Sequence, residues 1–189
     1  MRVFGIDPGS DRTGYGCVDS DGRRHQLVRC GAVRAGVGAT FPDQLSIIYR
    51  ELTVLLAECR PECVAIENIF YATNARSALK LGHARGVAML AAIEAGVTVV
   101  EYTPAEIKRS VVGYGRAEKP QVAQMVKLLL GLDAIPKPHD ATDALAVAIC
   151  HLHNGASVAA LKSRPAGAKA SVTVKRWRDY RPSTRNGQR

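Results

Sequence analysis

The sequence lacks the features that mark membrane-embedded or secreted proteins. It contains no run of about 18 apolar residues, so no membrane-spanning helix is predicted. The chain passes from Met1 straight into strand-like residues, without the layout of a signal peptide. Its five cysteines are odd in number and scattered, which is typical of free thiols in a reducing compartment. We therefore expect a cytoplasmic protein with no membrane partner.

Several common catalytic and cofactor-binding motifs are also missing. The sequence contains neither GxGxxG nor HExxH, and no paired Cys/His set has zinc-finger spacing. Gly9 and Gly14 have the spacing of a Walker A loop, but Tyr15 and Gly16 follow where Lys and Ser/Thr are required. No supporting constellation surrounds a nucleophilic Ser or Cys. These absences argue against dinucleotide-dependent, zinc-protease and covalent-nucleophile chemistry.

Positive charge is concentrated at the end of the chain. The formal net charge is +9, and residues 155–189 carry nine Lys/Arg against one acid, which leaves residues 1–154 almost neutral. We expect a single domain over 1–154 followed by a basic, largely disordered C-terminal tail over 155–189. Such a tail favours a polyanionic partner, although a purely solubilising extension has the same composition.

Apolar patterning predicts an α/β fold. Strands are predicted at 2–7, 14–19, 24–33, 63–67 and 97–101. Helices are predicted at 42–59, 74–95, 104–112, 120–130 and from about 138 onward. Three successive strands followed by strands that alternate with helices indicate a mixed sheet flanked by helices.

Four acids occur where such a fold could gather them. Asp7 ends the first strand, and Glu67 ends a short buried one. Asp140 and Asp143 are three residues apart at a helix start and therefore share a face. If the two strands are parallel neighbours, their acids emerge at the same sheet edge, where ligand sites lie. The alternatives are a turn-forming Asp7 and a capping pair at Asp140 and Asp143.

Converging carboxylates need a counter-charge. Two of them about 4 Å apart repel by roughly 4 kcal/mol at an effective dielectric near 20, so the cluster must bind protons or cations. Oxygen ligands suit Mg²⁺ or Mn²⁺, and two such ions can clamp the attacking and leaving oxygens of a phosphodiester. We infer metal-dependent phosphodiester hydrolysis, on the condition that the helix with Asp140 packs over the strand ends.

Five stretches of the sequence resemble the RuvC family of bacterial Holliday-junction endonucleases, within the ribonuclease H-like superfamily. They are GIDPGSDRTGYG, AIENIF, NARSALKLGHARGVAML, VVGYGRAEKPQV and HDATDALAVAICH, in the family's order over residues 1 to about 153. The resemblance implies a ribonuclease H-like fold, a five-stranded mixed sheet with three antiparallel strands and then parallel ones, flanked by helices. It implies that Asp7, Glu67, Asp140 and Asp143 are the catalytic tetrad and bind two Mg²⁺ ions, with Mn²⁺ as a substitute.

The resemblance also implies residues that contact DNA. These are Phe70, Lys108, Arg116 and Lys119. Phe70 would stack on a base near the junction point, with Tyr71 as a second candidate for that role. His139 could assist beside the tetrad, and Arg76 and Arg85 are weaker candidates for phosphate contacts. Each has an ordinary alternative: a core aromatic, a solvated histidine or a surface charge.

The implied activity is resolution of four-way DNA junctions by paired symmetric nicks that leave 5′-phosphates, in recombination, DNA repair and the SOS response. A homodimer would supply two sites, with the helix around Gly82 and Gly86 as its interface; close packing within the monomer is the alternative. The implied partners are the branch-migration proteins RuvA and RuvB. Two other functions stay open: an actin-like-fold ATPase or kinase, which needs two such domains, and a catalytically inactive junction-binding scaffold.

Overall fold

A mixed five-stranded sheet forms the centre of the protein. The structure is a computed structural model, and it describes residues 1–36, 38–68 and 75–162, with side chains up to 154. The strands are β1 (Arg2–Asp7), β2 (Arg12–Ser20), β3 (His25–Arg34), β4 (Cys63–Glu67) and β5 (Thr98–Tyr102), in the spatial order β3-β2-β1-β4-β5. The first three are antiparallel, and β4 and β5 continue the sheet in parallel from β1. The predicted fold class is confirmed.

Helices cover both faces of the sheet. They are α1 (Phe41–Cys59), α2 (Ala75–Glu94), α3 (Pro104–Val112), α4 (Lys119–Leu129) and α5 (His139–Lys162). Helix α5 continues beyond the boundary that we predicted at Asn154, and the rest of the predicted tail, from 163, lies outside the described residues. No helix in the described part of the chain is both long and apolar enough to cross a membrane.

Local sequence signals fix the ends of the helix that borders the site. The Thr103 side chain accepts a hydrogen bond from the Glu106 backbone N–H, and the Glu106 carboxylate accepts one from the Thr103 backbone N–H. This capping box and Pro104 start α3. Gly113 ends it with φ of 97°, a left-handed conformation that favours glycine. The position of Lys108 on α3 is therefore set by local signals at both ends.

The alternation of side chains along each strand creates two cores. Phe4 and Ile6 point to the face covered by α1 and α2, whereas Val3 belongs to the core beneath α3, α4 and α5. Ala65 of β4 lies in that second core as well. Because side chains alternate with a period of two residues, the terminal acids Asp7 and Glu67 continue onto the α5 side.

Glycines let α5 lie directly on the sheet. A Cβ atom at Gly14 of β2 would stand 2.1 Å from the Asp140 backbone oxygen, and one at Gly5 of β1 would stand 2.0 Å from that of Ala144. Real Cβ atoms do not approach so closely, so this packing requires glycine at both positions. The metal-site prediction required the helix that carries Asp140 to pack over the strand ends, and α5 does so.

Candidate active site

Three of the four predicted acids line one cavity. Ile6 pairs with Ile66 in the parallel register of β1 and β4, so Asp7 and Glu67 follow side by side at the carboxyl edge. Asp143 approaches from α5, and the three side chains border a cavity of about 100 Å³. The topology therefore gathers acids that are far apart in sequence.

Asp140 lies beside this cavity without lining it. Its backbone oxygen and Cβ lie against Gly14, the residue that pairs with Asp7 across β1 and β2. Within the described ranges, no three acidic, histidine or cysteine side chains already have the spacing of a metal site. An ion bound here would have to draw the carboxylates closer together.

Burial and mutual repulsion disturb the ionisation of the strand-end acids. Burial, followed by the charges of Glu67 and Asp143, raises the pKa of Asp7 to about 8. The pKa of Glu67 is also raised, mainly by burial, although its hydrogen bond with Asp7 and the charges of Lys119 and Lys108 oppose the rise. The interaction between the two carboxyls raises the pKa of Asp7 and lowers that of Glu67. Burial and mutual repulsion therefore make it unfavourable for both acids to be ionised at once.

Two lysines border the acidic cavity. Lys108 reaches it from α3 and Lys119 from the start of α4. Lys119 Nζ donates a hydrogen bond of 2.9 Å to Asp143 Oδ2, and this bond is the main cause of the raised pKa of Lys119. Because the Lys119 side chain is 81% exposed, such a pair contributes little stability. The Lys119 ammonium group can therefore leave Asp143 for another anion with little loss of stability.

The alternative capping role is not observed for Asp143, whose carboxylate pairs with Lys119. The alternative packing role is not observed for Gly82 and Gly86 either. Both lie on the exposed side of α2, and a Cβ at either would meet nothing within 4 Å in the described structure.

The remaining predicted residues are spread more widely. Arg116 is exposed in the connection between α3 and α4 and does not line the acidic cavity. His139 lines a neighbouring pocket together with Lys119 and Asp143. Arg76 is exposed at the start of α2. Phe70 and Tyr71 lie outside the described residues.

The sequence analysis did not predict the contacts of two residues near the site, Arg85 and Glu101. Arg85 was considered only as a weak DNA contact, but it is largely buried and forms an ion pair with Glu101 of β5. Its Nε also donates a hydrogen bond to the Glu67 backbone oxygen. Glu101 carried the same signal as Asp7 and Glu67, because it is an acid near the end of a predicted strand.

The chain matches a family model over most of its described length. Residues 3–151 match the model described as crossover junction endodeoxyribonuclease RuvC. A protein of that description from Koribacter versatilis is 52% identical over 165 residues, which cover 87% of this chain and 99% of that protein. One from Trichlorobacter lovleyi is 48% identical over 182 residues, covering 96% and 100% respectively.

Solved structures agree with this match. Thermus thermophilus RuvC aligns with a TM-score of 0.78 and 35% identity, over 84% of this chain and 97% of that one. The same protein in complex with a Holliday junction substrate aligns with a TM-score of 0.80 and 35% identity, over 84% and 96%. The yeast mitochondrial resolvase Ydc2 shares the fold at 14% identity, with a TM-score of 0.61 over 85% and 82%.

Proposed function

The chain belongs to the RuvC family of crossover junction endodeoxyribonucleases, and we propose that it resolves Holliday junctions by paired symmetric nicks that leave 5′-phosphates. The observation that carries this proposal is the cavity lined by Asp7, Glu67 and Asp143 and bordered by two lysines. The cavity combines carboxylates, which can bind hard cations, with lysine ammonium groups, which can bind phosphate. The activity belongs to recombination and DNA repair, with the SOS response as its setting.

Divalent ions fit the chemistry of this cavity. Its acidic ligands are all carboxylates, which suit Mg²⁺ and allow Mn²⁺ as a substitute. The raised pKa of Asp7 reflects buried negative charge that a cation would neutralise. Asp7, Glu67, Asp140 and Asp143 would hold two ions, which activate water and stabilise the charge of the attacked phosphodiester. Bound ions would favour the ionised form of Asp7, which burial and the neighbouring acids disfavour in their absence.

The basic residues hold and orient the DNA. We assign Lys119 and Lys108 to the phosphates next to the cut, because both border the cavity. Lys119 would leave Asp143 for a phosphate oxygen as the strand enters. Arg116 would contact a phosphate farther along the backbone. His139, one residue before Asp140, is an accessory candidate.

Opening of the junction point is assigned to aromatic residues in the segment between β4 and α2. We propose that Phe70 stacks on an exposed base and that Tyr71 supports it. Such stacking contributes roughly 1–3 kcal/mol per base. Phe70 follows Glu67 by three residues in the sequence.

Two cuts in one junction require two active sites, and an exposed face of α2 suits a two-fold dimer. Large apolar side chains on this helix are 64%, 48% and 61% exposed, at Leu79, Leu90 and Ile93 respectively. Gly82 and Gly86 lie between them and leave open space above the helix. Together these five residues form what we call the α2 face. A second copy of the chain would bury it.

We propose further partners from the family and from the charge distribution. RuvA and RuvB would deliver the junction, in the cytoplasm. The basic residues of 163–189 would strengthen DNA binding by releasing counterions. Deleting 163–189 should lower both the affinity for a junction and its dependence on salt. An unchanged salt dependence would remove the tail from DNA binding.

The test compares a synthetic four-way junction with linear duplexes of the same sequences, in Mg²⁺ and in EDTA. We expect symmetric nicks only in the junction and only with Mg²⁺. Asp7→Asn should still bind the junction but not cut it, whereas Asp19→Asn, an acid paired with Arg2 on another surface, should cut normally. Binding without nicking by the unaltered protein would favour an inactive scaffold, and ATP hydrolysis without DNA would favour a kinase-like enzyme.

A further inference from the structure

Arg85 occupies an unusual position on α2. The buried residues of this helix are all alanines, at Ala84, Ala88, Ala91 and Ala92, and they belong to the core that α2 shares with α1 and the sheet. Arg85 lies next to Ala84, and only 19% of its side chain is exposed. Burying a guanidinium group is costly unless charges and hydrogen bonds compensate it. The contacts of Arg85 must therefore compensate the cost of burying its charge.

The guanidinium group of Arg85 connects three elements. Its Nε donates a 3.3 Å hydrogen bond to the backbone oxygen of Glu67, the last residue of β4. Its Nη2 lies 2.6 Å from Glu101 Oε2 on β5. That contact is an ion pair without good hydrogen-bond geometry, and among the described residues the buried Nη2 has no hydrogen-bond acceptor. Helix α2 is thereby joined to the ends of two parallel strands.

Glu67 needs such support because it stands where the sheet ladder ends. On one side, the backbone N–H of Asn68 donates a 2.7 Å hydrogen bond to the Tyr102 oxygen and holds the chain against β5. Arg85 holds the Glu67 carbonyl from the α2 side. A shift of this carbonyl would move the Glu67 carboxylate relative to Asp7, and misplacement by about 1 Å can reduce a rate about 100-fold.

We propose that Arg85, held by Glu101, is a positioning residue that fixes Glu67 for divalent-ion binding. This inference rests on the proposed function, since it assigns Glu67 to the metal site. Arg85 touches neither the phosphate nor the ion, and it acts through the backbone of Glu67. Because α2 also carries the α2 face, the same side chain links the proposed dimer helix to the catalytic edge.

The test uses Arg85→Met and Glu101→Gln, with Arg50→Met as the matched control. Arg50 is an exposed arginine on α1 that contacts Ser46 of its own helix. The first readout is the rise of the melting temperature on titration with Mg²⁺ alone, which reports ion binding to the fold. The second is the single-turnover rate of junction cleavage, and the third is junction affinity in EDTA.

For Arg85→Met we expect the Mg²⁺ concentration at half-maximal thermal shift to increase about 10- to 100-fold, as for other groups that orient ligating side chains. The cleavage rate should fall by a similar factor, while junction affinity in EDTA stays within about twofold, since no DNA contact is removed. Glu101→Gln should shift both quantities in the same direction by less. Arg50→Met should match the unaltered protein.

Wild-type Mg²⁺ dependence in both Arg85→Met and Glu101→Gln would overturn the inference. If Arg85→Met does not fold, Glu101→Gln decides alone, because Glu101 is 39% exposed and its amide replacement keeps the side-chain shape. If the unaltered protein shows a Mg²⁺-dependent thermal shift but no junction nicking, the proposed function fails. In that case the weakened Mg²⁺ response of the variants still supports the positioning role.

Discussion

Replacing Asp7 with Asn should stabilise the metal-free protein while abolishing its activity. Burial and neighbouring acids raise the pKa of Asp7 from 3.8 to about 8. Each pKa unit corresponds to about 1.4 kcal/mol, so at pH 8 the fold loses up to about 5 kcal/mol relative to its stability in acid. Asn cannot ionise and avoids that loss. Relaxation of the site reduces the measured value, and we expect a gain of about 2–5 kcal/mol.

The sign of this effect follows from proton release. Below about pH 4, Asp7 is protonated in both the folded and the unfolded chain, so its contribution to stability is fully present. Between about pH 4 and 8, only the unfolded chain releases the proton, and the free energy of unfolding falls as the pH rises. Above about pH 8 both states have released it, and the loss is complete.

The assay is urea unfolding in EDTA at several pH values between about 5 and 8.5. The difference between Asp7→Asn and the unaltered protein should grow with pH, because only the unaltered protein has to ionise a carboxyl at position 7 in the folded state. Asp19→Asn is the control: the hydrogen bond with Arg2 lowers the pKa of Asp19, so this acid is ionised in both the folded and the unfolded chain throughout the assayed range, and its replacement should give a difference that does not change with pH. A difference that is flat with pH, or an Asp7→Asn variant less stable than the unaltered protein at pH 8, would refute this reasoning.

Three further predictions concern helix packing, DNA contacts and assembly. Gly14→Ala should cost about 1–3 kcal/mol of stability and stop nicking, because its Cβ would meet the Asp140 oxygen at 2.1 Å; normal nicking would contradict that contact. Lys119→Ala should weaken junction binding and reduce the slope of log affinity against log salt by about 1, whereas Lys127→Ala, at the far end of α4, should not; equal slopes would remove Lys119 from the phosphate contacts. Ile93→Arg should give a monomer in sedimentation equilibrium and unpaired nicks, and a persisting dimer would exclude the α2 face.

Much of the fold followed from local patterns. Alternating and continuous apolar runs located every strand of the described sheet, and turn and capping residues located the helices. Strand β2 was predicted too short, because Arg12 and Thr13 break the apolar pattern. Both residues nevertheless pair with β3, at Arg34 and Val33 respectively. Pairing with β3 alone extends β2 beyond its apolar core, since the backbone forms the ladder of hydrogen bonds.

The site was harder to predict than the fold. Asp7 and Glu67 were predicted because an ionisable residue at the end of a buried strand is otherwise unfavourable, and Asp140 and Asp143 because they are three residues apart at a helix start. That Asp140 stands beside the cavity and Asp143 within it depends on the rotation of α5 over Gly14, which sequence spacing does not specify. The contacts between Lys119 and Asp143, and between Arg85 and Glu101, join residues on separate elements. Predicting these contacts would have required knowledge of the sheet register and of where the helices pack.

The arrangement of the acids is also the physical basis of the proposed ion binding. Asp7 and Glu67 are brought side by side by the strand register, which the hydrophobic core imposes regardless of the charge at the strand ends. The fold therefore places mutually repelling acids at this edge of the sheet, and the raised pKa values of Asp7 and Glu67 show that their ionised forms are disfavoured there. The pairing of Lys119 with Asp143 relieves part of the same repulsion. We infer that cation binding and stability are linked in this protein.

Anomalous diffraction from crystals soaked in Mn²⁺ tests the central claim most directly, because it locates bound ions without relying on activity. The account predicts Mn²⁺ peaks within coordination distance of Asp7, Glu67 and Asp143, with Asp140 drawn toward them. Mn²⁺ bound elsewhere, with these carboxylates unliganded at a pH where they are ionised, would contradict it.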